Sequence, residues 1–491
     1  MSGLHGVETI ELSNGTVTVE TISTAVIGLV GTAPDAAAGV AATGTSGSYL
    51  SGTAVDYTAK NPGIDGNQIT ITGVAATSAA AGTSASINDD GNLDIVLKVN
   101  AVGEVVANVA DLLSVVNTLP DCPVTAAISS MVSTVDLTVA VTPFSVTLSG
   151  GEDEPFPLGE PVVVAGAITQ SSKLGMAGTL YDALTDIFDQ TGALVVVVRA
   201  EEADSDLQTR ANVIAAMSAL TKSKTSTGYQ PRILLATGFS EDDGVGKALE
   251  TYAKKLRAIA YLDSPSMATA QAVTQRRNSY GGRVELLRPR VGVTASTGKT
   301  VYRPYSARAA GLRARIDYEK GWWWWSKSNQ EIYNITGVEQ VDEFILGEQN
   351  CTANLLNMEN VSTIIRHDGF KHWGNRLCTT DAQWRFETVR RTADIIEDSI
   401  QEAMLPYIDR PLDKDVADDI IKSINAYIRH LKDLGTIHGG SAWLNEELNT
   451  AETLAAGQLY IDYDFGPKSP LERLTLRVMV NNDYALEELS A

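Results

Sequence analysis

Several groups of residues in this chain have the types and spacing that chemistry needs. Gly298-Lys299-Thr300 resembles the end of a phosphate-binding loop, where successive backbone N–H groups and a lysine surround a phosphate. That pattern needs its first glycine at 293, where the chain has Val293, so an ordinary turn is expected. Gly28 and Gly31 fail the dinucleotide fingerprint, and close packing explains them. His367, His372 and Cys378 are zinc-ligand types, but zinc needs a fourth ligand or water and the spacing matches no strong zinc pattern. Packing or hydrogen bonding is the expected role of these three. His430 and His438 flank a helix terminus, where capping is expected. Asp394, Glu397 and Asp398 recur on one helical surface and would suit a carboxylate-dependent hydrolase. A solvated helix face or intersubunit salt bridges is the commoner use. No Gly-x-Ser-x-Gly nucleophile elbow occurs. The expectation is a chain with no catalytic residue, no cofactor and no metal.

Trp322–Trp325 is a different signal, between Lys320 and Lys327. Four adjacent indoles cannot share one helical stripe, and a strand sends them to alternate faces. A domain junction, a subunit contact or an intrachain core would bury them; stacking on carbohydrate or nucleobase is the minor alternative.

The elements that position these residues follow from composition and periodicity. A chain of 491 residues with 44% apolar content folds as more than one domain. Its 60 acidic against 38 basic residues give a net charge of -22, which disfavours duplex nucleic acid and anionic membrane. Residues 1–160 hold seventeen Asp or Glu against Lys60 and Lys98, a net of -15, and every Arg lies at 199 or later. That asymmetry marks a separate N-terminal surface exposed to solvent. Cys122, Cys351 and Cys378 are too few and too far apart for a disulfide framework, which fits a reducing compartment. No signal-peptide pattern and no run of eighteen apolar residues appears, so no membrane span is expected.

Val17 to Ile22 has a weak strand alternation, and Ala25 to Val30 reads as a buried strand. Gly- and Ser-rich sequence from Gly39 to Gly52 marks a loop. Residues 60–150, rich in Thr, Val, Ser and Ala, read as an inserted β-rich or mixed domain with strands at Ile69–Thr72 and Leu93–Leu97. After Pro161 apolar strands alternate with helices: Val162–Val164, Ala193–Val198, Arg232–Ala236 and Ala258–Leu262, separated by helical faces through Leu184, residues 206–220 and Leu249. Such strands need cover on both faces, so this is a layered α/β domain. Phe386, Val389, Ala393, Ile396, Ile400 and Met404 make one long helical stripe, and Val416, Ile420, Ile424, Ile428 and Leu431 a second, ended by Gly435. Leu474, Leu476, Val478 and Val480 alternate with Thr475, Arg477 and Met479, the pattern of a half-buried strand.

Against this background the sequence resembles the contractile phage tail sheath family, of the P2-like type also found in phage-derived particles. The N-terminal match is His5-Gly6-Val7-Glu8 and Ser23 to Val30; central matches are Gly178-Thr179-Leu180, Ile187 to Gln190, Val195 to Arg199, Pro231 to Leu234 and Gly321 to Ser326. The strongest runs are Asn354 to Asn357, Asp368 to Arg376, Arg390 to Asp394, Ala456 to Asp464 and Pro470 to Arg473. The resemblance covers residues 1–50 and 155–491. It implies a multidomain α/β tail-sheath fold divided as follows: an N-terminal arm and first core segment (1–50), the insertion (60–150), an α/β domain (155–320), a C-terminal sheath core (321–470) and a C-terminal β arm (471–491).

The resemblance also implies a homo-oligomer of stacked rings around an inner tail tube protein, bounded by baseplate and tail terminator proteins. Such a sheath is assembled in the bacterial host cytoplasm and belongs to the virion; it contracts to drive the tube through an envelope, without nucleotide. Val17 and Val19 at one end and Leu474, Leu476, Val478 and Val480 at the other are expected to be intersubunit arm strands. Arg390 and Arg391 are expected at a tube or neighbour interface, with internal ion pairing as the alternative. The insertion is expected to decorate the outer surface. A carbohydrate-binding virion protein is the competing reading, against which stands Phe144 as the sole aromatic of 60–150.

Overall fold

In the computed structural model the described residues are 18–132, 137–166, 168–295, 297–322 and 326–490. They divide into two compact units, a smaller one of 34–158 with 173–175, and a larger one from the described residues on either side.

The larger unit is built on an eight-stranded sheet. Its strands are β1 (Ile27–Thr32), β2 (Pro161–Ala165), β3 (Leu194–Ala200), β4 (Ile233–Leu235), β5 (Ile259–Asp263), β6 (Val284–Leu287), β7 (Val361–Arg366) and β8 (Phe370–Trp373). Their spatial order is β8-β7-β6-β5-β4-β1-β3-β2. The six inner strands are parallel, and each edge strand is antiparallel to its neighbour. Val195 to Val198 are all fully buried, as parallel strands covered on both faces require.

The longest helices between the strands are α1 (Leu180–Phe188), α2 (Asp206–Ala216), α3 (Asp243–Leu256) and α4 (Ser306–Lys320). Ser205 caps α2 by accepting from the Gln208 N–H, and Asp242 caps α3 by accepting from Gly244 and Val245. Helix α4 is buried from Ser306 to Ile316 although it carries Arg308, Arg313 and Arg315. Beyond the sheet come α5 (Glu387–Met404) and α6 (Lys414–Asp433), whose apolar stripes share a core of Ile395, Ile396, Ile400, Ile424, Ile428 and Leu431. Asp413 caps the start of α6, and Gly435 at φ 77° turns the chain away beyond its end. A two-stranded antiparallel sheet follows, β9 (Ile437–Leu444) with β10 (Ile461–Pro467).

The smaller unit carries two small sheets. One orders Thr43–Ser46, Val55–Ala59 and Val124–Ile128; the other orders Ser84–Ile87, Leu93–Leu97, Thr70–Ala75 and Phe144–Thr147. A helix, Val109–Thr118, starts with a reciprocal capping box between Asn108 and Asp111. Strands 55–59 and 93–97 alternate buried and half-buried residues, and Tyr57, Ile71, Ile95 and Leu112 meet in one core.

Two expected boundaries are corrected. The insertion begins at 34 and not at 60, because Thr43–Ser46 and Val55–Ala59 pair with each other and with Val124–Ile128. Glycine and serine in that stretch had read as loop. The expected 155–320 and 321–470 domains are one unit, because β7 joins the sheet parallel to β6 through Leu286 and Val361.

Candidate functional site

A chain end that lacks a partner within its own fold is a place for another chain. After β10, residues 468–481 form neither helix nor ladder. Leu474, Leu476, Val478 and Val480 are 70%, 82%, 95% and 85% exposed. The half-buried strand expected there is therefore corrected: among the described residues no strand pairs with it, and both faces meet water. Where the segment leaves the body, Arg376 grips Glu472 with two hydrogen bonds, Nε to Oε1 at 2.7 Å and Nη2 to Oε2 at 2.6 Å. Among the described residues β9 and β10 pair only with each other, so each presents a free backbone edge.

The N-terminal segment behaves differently. Val17 lies outside the described residues. Val19 is buried and shares the core of α5 and α6 with Trp322 and Tyr427, so its expected role as an arm strand face is corrected. The Ile22 N–H donates to Ser399 Oγ at 3.2 Å, and the Thr24 carbonyl accepts from Arg391 at 3.0 Å. These side-chain bonds satisfy backbone groups that no ladder satisfies.

Arg391 is likewise an internal residue and not a surface contact. It is buried, donates to Asp317 Oδ1 at 2.9 Å, and leaves Asp317 a second partner in Arg313 at 2.7 Å. Burial raises the Asp317 pKa, but Arg313 and Arg391 outweigh it and hold the carboxyl below its usual range. Arg390 is half-buried, bonds Asp394 at 2.7 Å and covers the Trp384 ring at 4.2 Å. Arg390 and Arg391 thus make the internal ion pairs that were the alternative to an interface role.

The same helix corrects the expected solvated acidic face. Asp394 is bound by Arg283 at 2.8 Å as well as by Arg390. Asp398 is bound by Arg232 and Arg257, and Glu397 lies 3.7 Å from Arg257 and 3.6 Å from Arg390. Helix α5 thus has an apolar stripe toward α6 and an acidic stripe occupied by arginines. A carboxylate held this way spends its lone pairs on guanidinium hydrogen bonds.

Nearby lies a charge centre that sequence reasoning missed. Lys327 is fully buried, bonded to Glu285 on β6, to Glu387 at the start of α5 at 2.6 Å, and to the Tyr261 hydroxyl on β5 at 3.0 Å. Burial opposes the charge on Glu285, yet Lys327 and His372 bring its pKa down to about 2. His372 Nδ1 and the Tyr305 hydroxyl are 2.6 Å apart, and Nε2 lies 3.2 Å from Glu285 without the alignment of a hydrogen bond. Burial pushes the His372 pKa down, which favours the neutral ring in this contact with Tyr305. The sequence signal was a lysine two residues beyond a tryptophan run, in a stretch too apolar to be a surface.

The remaining candidates separate. His367 is exposed, His372 belongs to the Glu285 centre, and Cys378 is buried in the sheet core, its N–H bonded to the Val284 carbonyl. Among the described residues no group of three or more His, Cys, Asp and Glu could hold a metal ion. Gly298-Lys299-Thr300 turns between the hairpin strands Val291–Thr294 and Thr300–Arg303, with Gly298 at φ 77°. His430 lies in the last turn of α6, and His438 is an exposed residue of β9. Trp322 is buried; Trp323, Trp324 and Trp325 lie outside the described residues.

Comparison with known proteins places this arrangement. Residues 208–377 match the phage tail sheath protein central domain, and residues 379–481 the phage tail sheath C-terminal domain. The tail sheath protein of Escherichia phage P2 is 37% identical over 357 residues, 69% of this chain and 89% of that protein. The tail sheath protein of Burkholderia phage BcepMu is 32% identical over 507 residues, 98% of each. In fold the chain is similar to the helical sheath of the anti-feeding prophage in its contracted state, with a TM-score of 0.53 and 20% identity over 66% of this chain and 89% of that one. It is similar to the contracted sheath of the PVC extracellular contractile injection system with a TM-score of 0.52 and 17% identity over 67% and 89%.

Proposed function

This chain belongs to the phage tail sheath protein family, as a structural sheath subunit of a contractile injection system, and we propose that it polymerises in stacked rings around an inner tube and shortens to drive that tube through a bacterial envelope. The observation that carries the reading is the C-terminal segment, whose apolar row is exposed and whose backbone has no ladder within the chain. Seated on a free edge of a neighbour's β9–β10 sheet, it would complete both the backbone bonds and the apolar burial. Such a link is a flexible tie between bodies, which can reorient while remaining joined.

The inner tube protein, the baseplate and a tail terminator are the partners of this reading, and the virion tail is its place. It needs no catalysis, since the work is stored in the assembled lattice. The unit of 34–158 is an outward decoration. The phage P2 relative is covered over 89% of its length by 69% of this chain, which supports a sheath built without such an addition.

Removal of residues 471–491 tests the reading. Particles carrying the truncated chain should show bare tubes or isolated rings by negative stain, with the circular dichroism of the purified chain little changed. Long, contractile sheaths from the truncated chain would end the arm assignment. Finding the full chain only in a capsid or baseplate would end the sheath reading itself.

A further inference from the structure

Among the described residues no strand pairs with the C-terminal segment, so a side-chain contact must fix the direction in which it leaves the body. We propose that the Arg376–Glu472 pair is a clamp at the root of this segment, and that it aims residues 473–480 at the neighbouring subunit. The inference rests on the sheath reading above and adds a positioning residue to it.

The geometry supports a clamp more than a casual surface pair. Arg376 presents two nitrogens to two different oxygens of Glu472, the planar fork arrangement that fixes orientation as well as distance. Its third nitrogen donates to the carbonyl of Asn357 in the helix Thr352–Met358 at 3.3 Å. Its backbone bridges to Phe386, the residue just before α5. Arg376 is therefore tied to two other parts of the body, by its backbone and by its guanidinium, before it reaches Glu472. On both sides of Glu472 the apolar side chains are open to water, Leu471 by 79% and those from Leu474 to Val480 by at least 70%, so the pair holds a stretch that is otherwise exposed.

A partly exposed pair of this kind adds little to global stability. The role is directional, and each subunit of a polymer repeats it, so a small loss of aim is multiplied along the sheath.

The test uses the full chain with Arg376→Ala, Glu472→Gln, Arg376→Lys and the double swap Arg376→Glu with Glu472→Arg. The three native cysteines are buried, so a nitroxide label on Leu471→Cys reports the mobility of the segment root in the purified chain, with Val478→Cys as the unheld reference; this first readout does not depend on assembly. In Arg376→Ala and Glu472→Gln the label at 471 should move toward the mobility of the label at 478, with melting within about 2 °C of the parent. Sheath length on particles is the second readout. Both single variants should cut the fraction of full-length sheaths at least several-fold, the swap should restore much of it, and Arg376→Lys should fall between, since a single ammonium keeps the charge but loses the fork. Unchanged mobility at 471, or normal sheaths despite raised mobility, overturns the clamp. A swap that melts normally and restores neither readout overturns it too. If the parent chain itself forms no sheath, the sheath reading fails instead, and the label still decides whether Arg376 holds the segment.

Discussion

The two units of this chain handle negative charge in opposite ways. In the larger unit, carboxylates go inside and take arginines with them: Asp317 with Arg313 and Arg391, Asp186 with Arg308, Asp394 with Arg283 and Arg390. The smaller unit has no arginine at all and buries an apolar core, leaving thirteen Asp or Glu between 34 and 158 against Lys60 and Lys98. Its Lys98–Asp111 pair sits partly in water. Acidity alone therefore says little about a protein surface. Where each carboxylate has a guanidinium, charge specifies which elements meet; where it has none, charge keeps other molecules at a distance.

The contrast can be broken from either side, and the largest effect belongs to the buried pairs. Arg391→Ala leaves Asp317 inside with half of its compensation and removes the bond to Thr24. It should cost the larger unit about 3–5 kcal/mol, read as the urea midpoint of the full chain. A loss under about 1 kcal/mol would mean that the buried charges are not holding the unit together.

Glu285 offers a pH-resolved version. Its folded pKa, about 2, lies below the ordinary glutamate value of 4.5, so its contribution is complete above pH 4.5 and drains away as pH falls toward 2. His372, lowered by burial, acts in the same direction, its share being lost as pH falls below the ordinary histidine value of 6.5. Urea midpoints across pH 7 to 2 should fall steadily for the parent. Glu285→Gln should start lower by about 1–3 kcal/mol, because Lys327 keeps only Glu387, and then fall less steeply below pH 4.5. Parallel curves would remove Glu285 as the source of the acid loss.

Replacing 34–158 by a short Gly/Ser bridge should change the midpoint of the larger unit by less than about 1 kcal/mol and leave sheaths able to form. A folded larger unit that no longer assembles would show that the acidic unit takes part in the lattice. Smallest of all, Asp89→Asn with Asp90→Asn at an exposed turn should stay within about 0.5 kcal/mol. A larger change would mean that acids of this unit are structurally engaged after all.

The sequence made some of this visible and hid the rest for physical reasons. Buried parallel strands declare themselves because both faces must be apolar, so Val195–Val198 and Leu234–Leu235 stood out, as did the stripes of α5 and α6. Periodicity is blind to a partner, which is why Asp394 and Asp398 looked solvated: their arginines come from 232, 257 and 283, far away in the chain. Thr43–Ser46 was concealed by glycine and serine in a short strand whose pairing fixes it more than its side chains do. The alternation at 474–480 predicts a half-buried strand and the segment forms none, because alternation does not say whether a partner strand is present.

The unclaimed end has a consequence for the life of the free subunit. Leu471, Leu474, Leu476, Val478, Met479 and Val480 are all exposed on one unpaired stretch of backbone, the profile of a sticky edge prone to off-pathway clumping. Colloidal repulsion from a net charge of -22 slows such encounters between copies without abolishing them. On the proposed sheath reading the free subunit is a reagent with a concentration-dependent shelf life, and nucleation on a template that offers the matching edge has to outrun random collision in the growing pool.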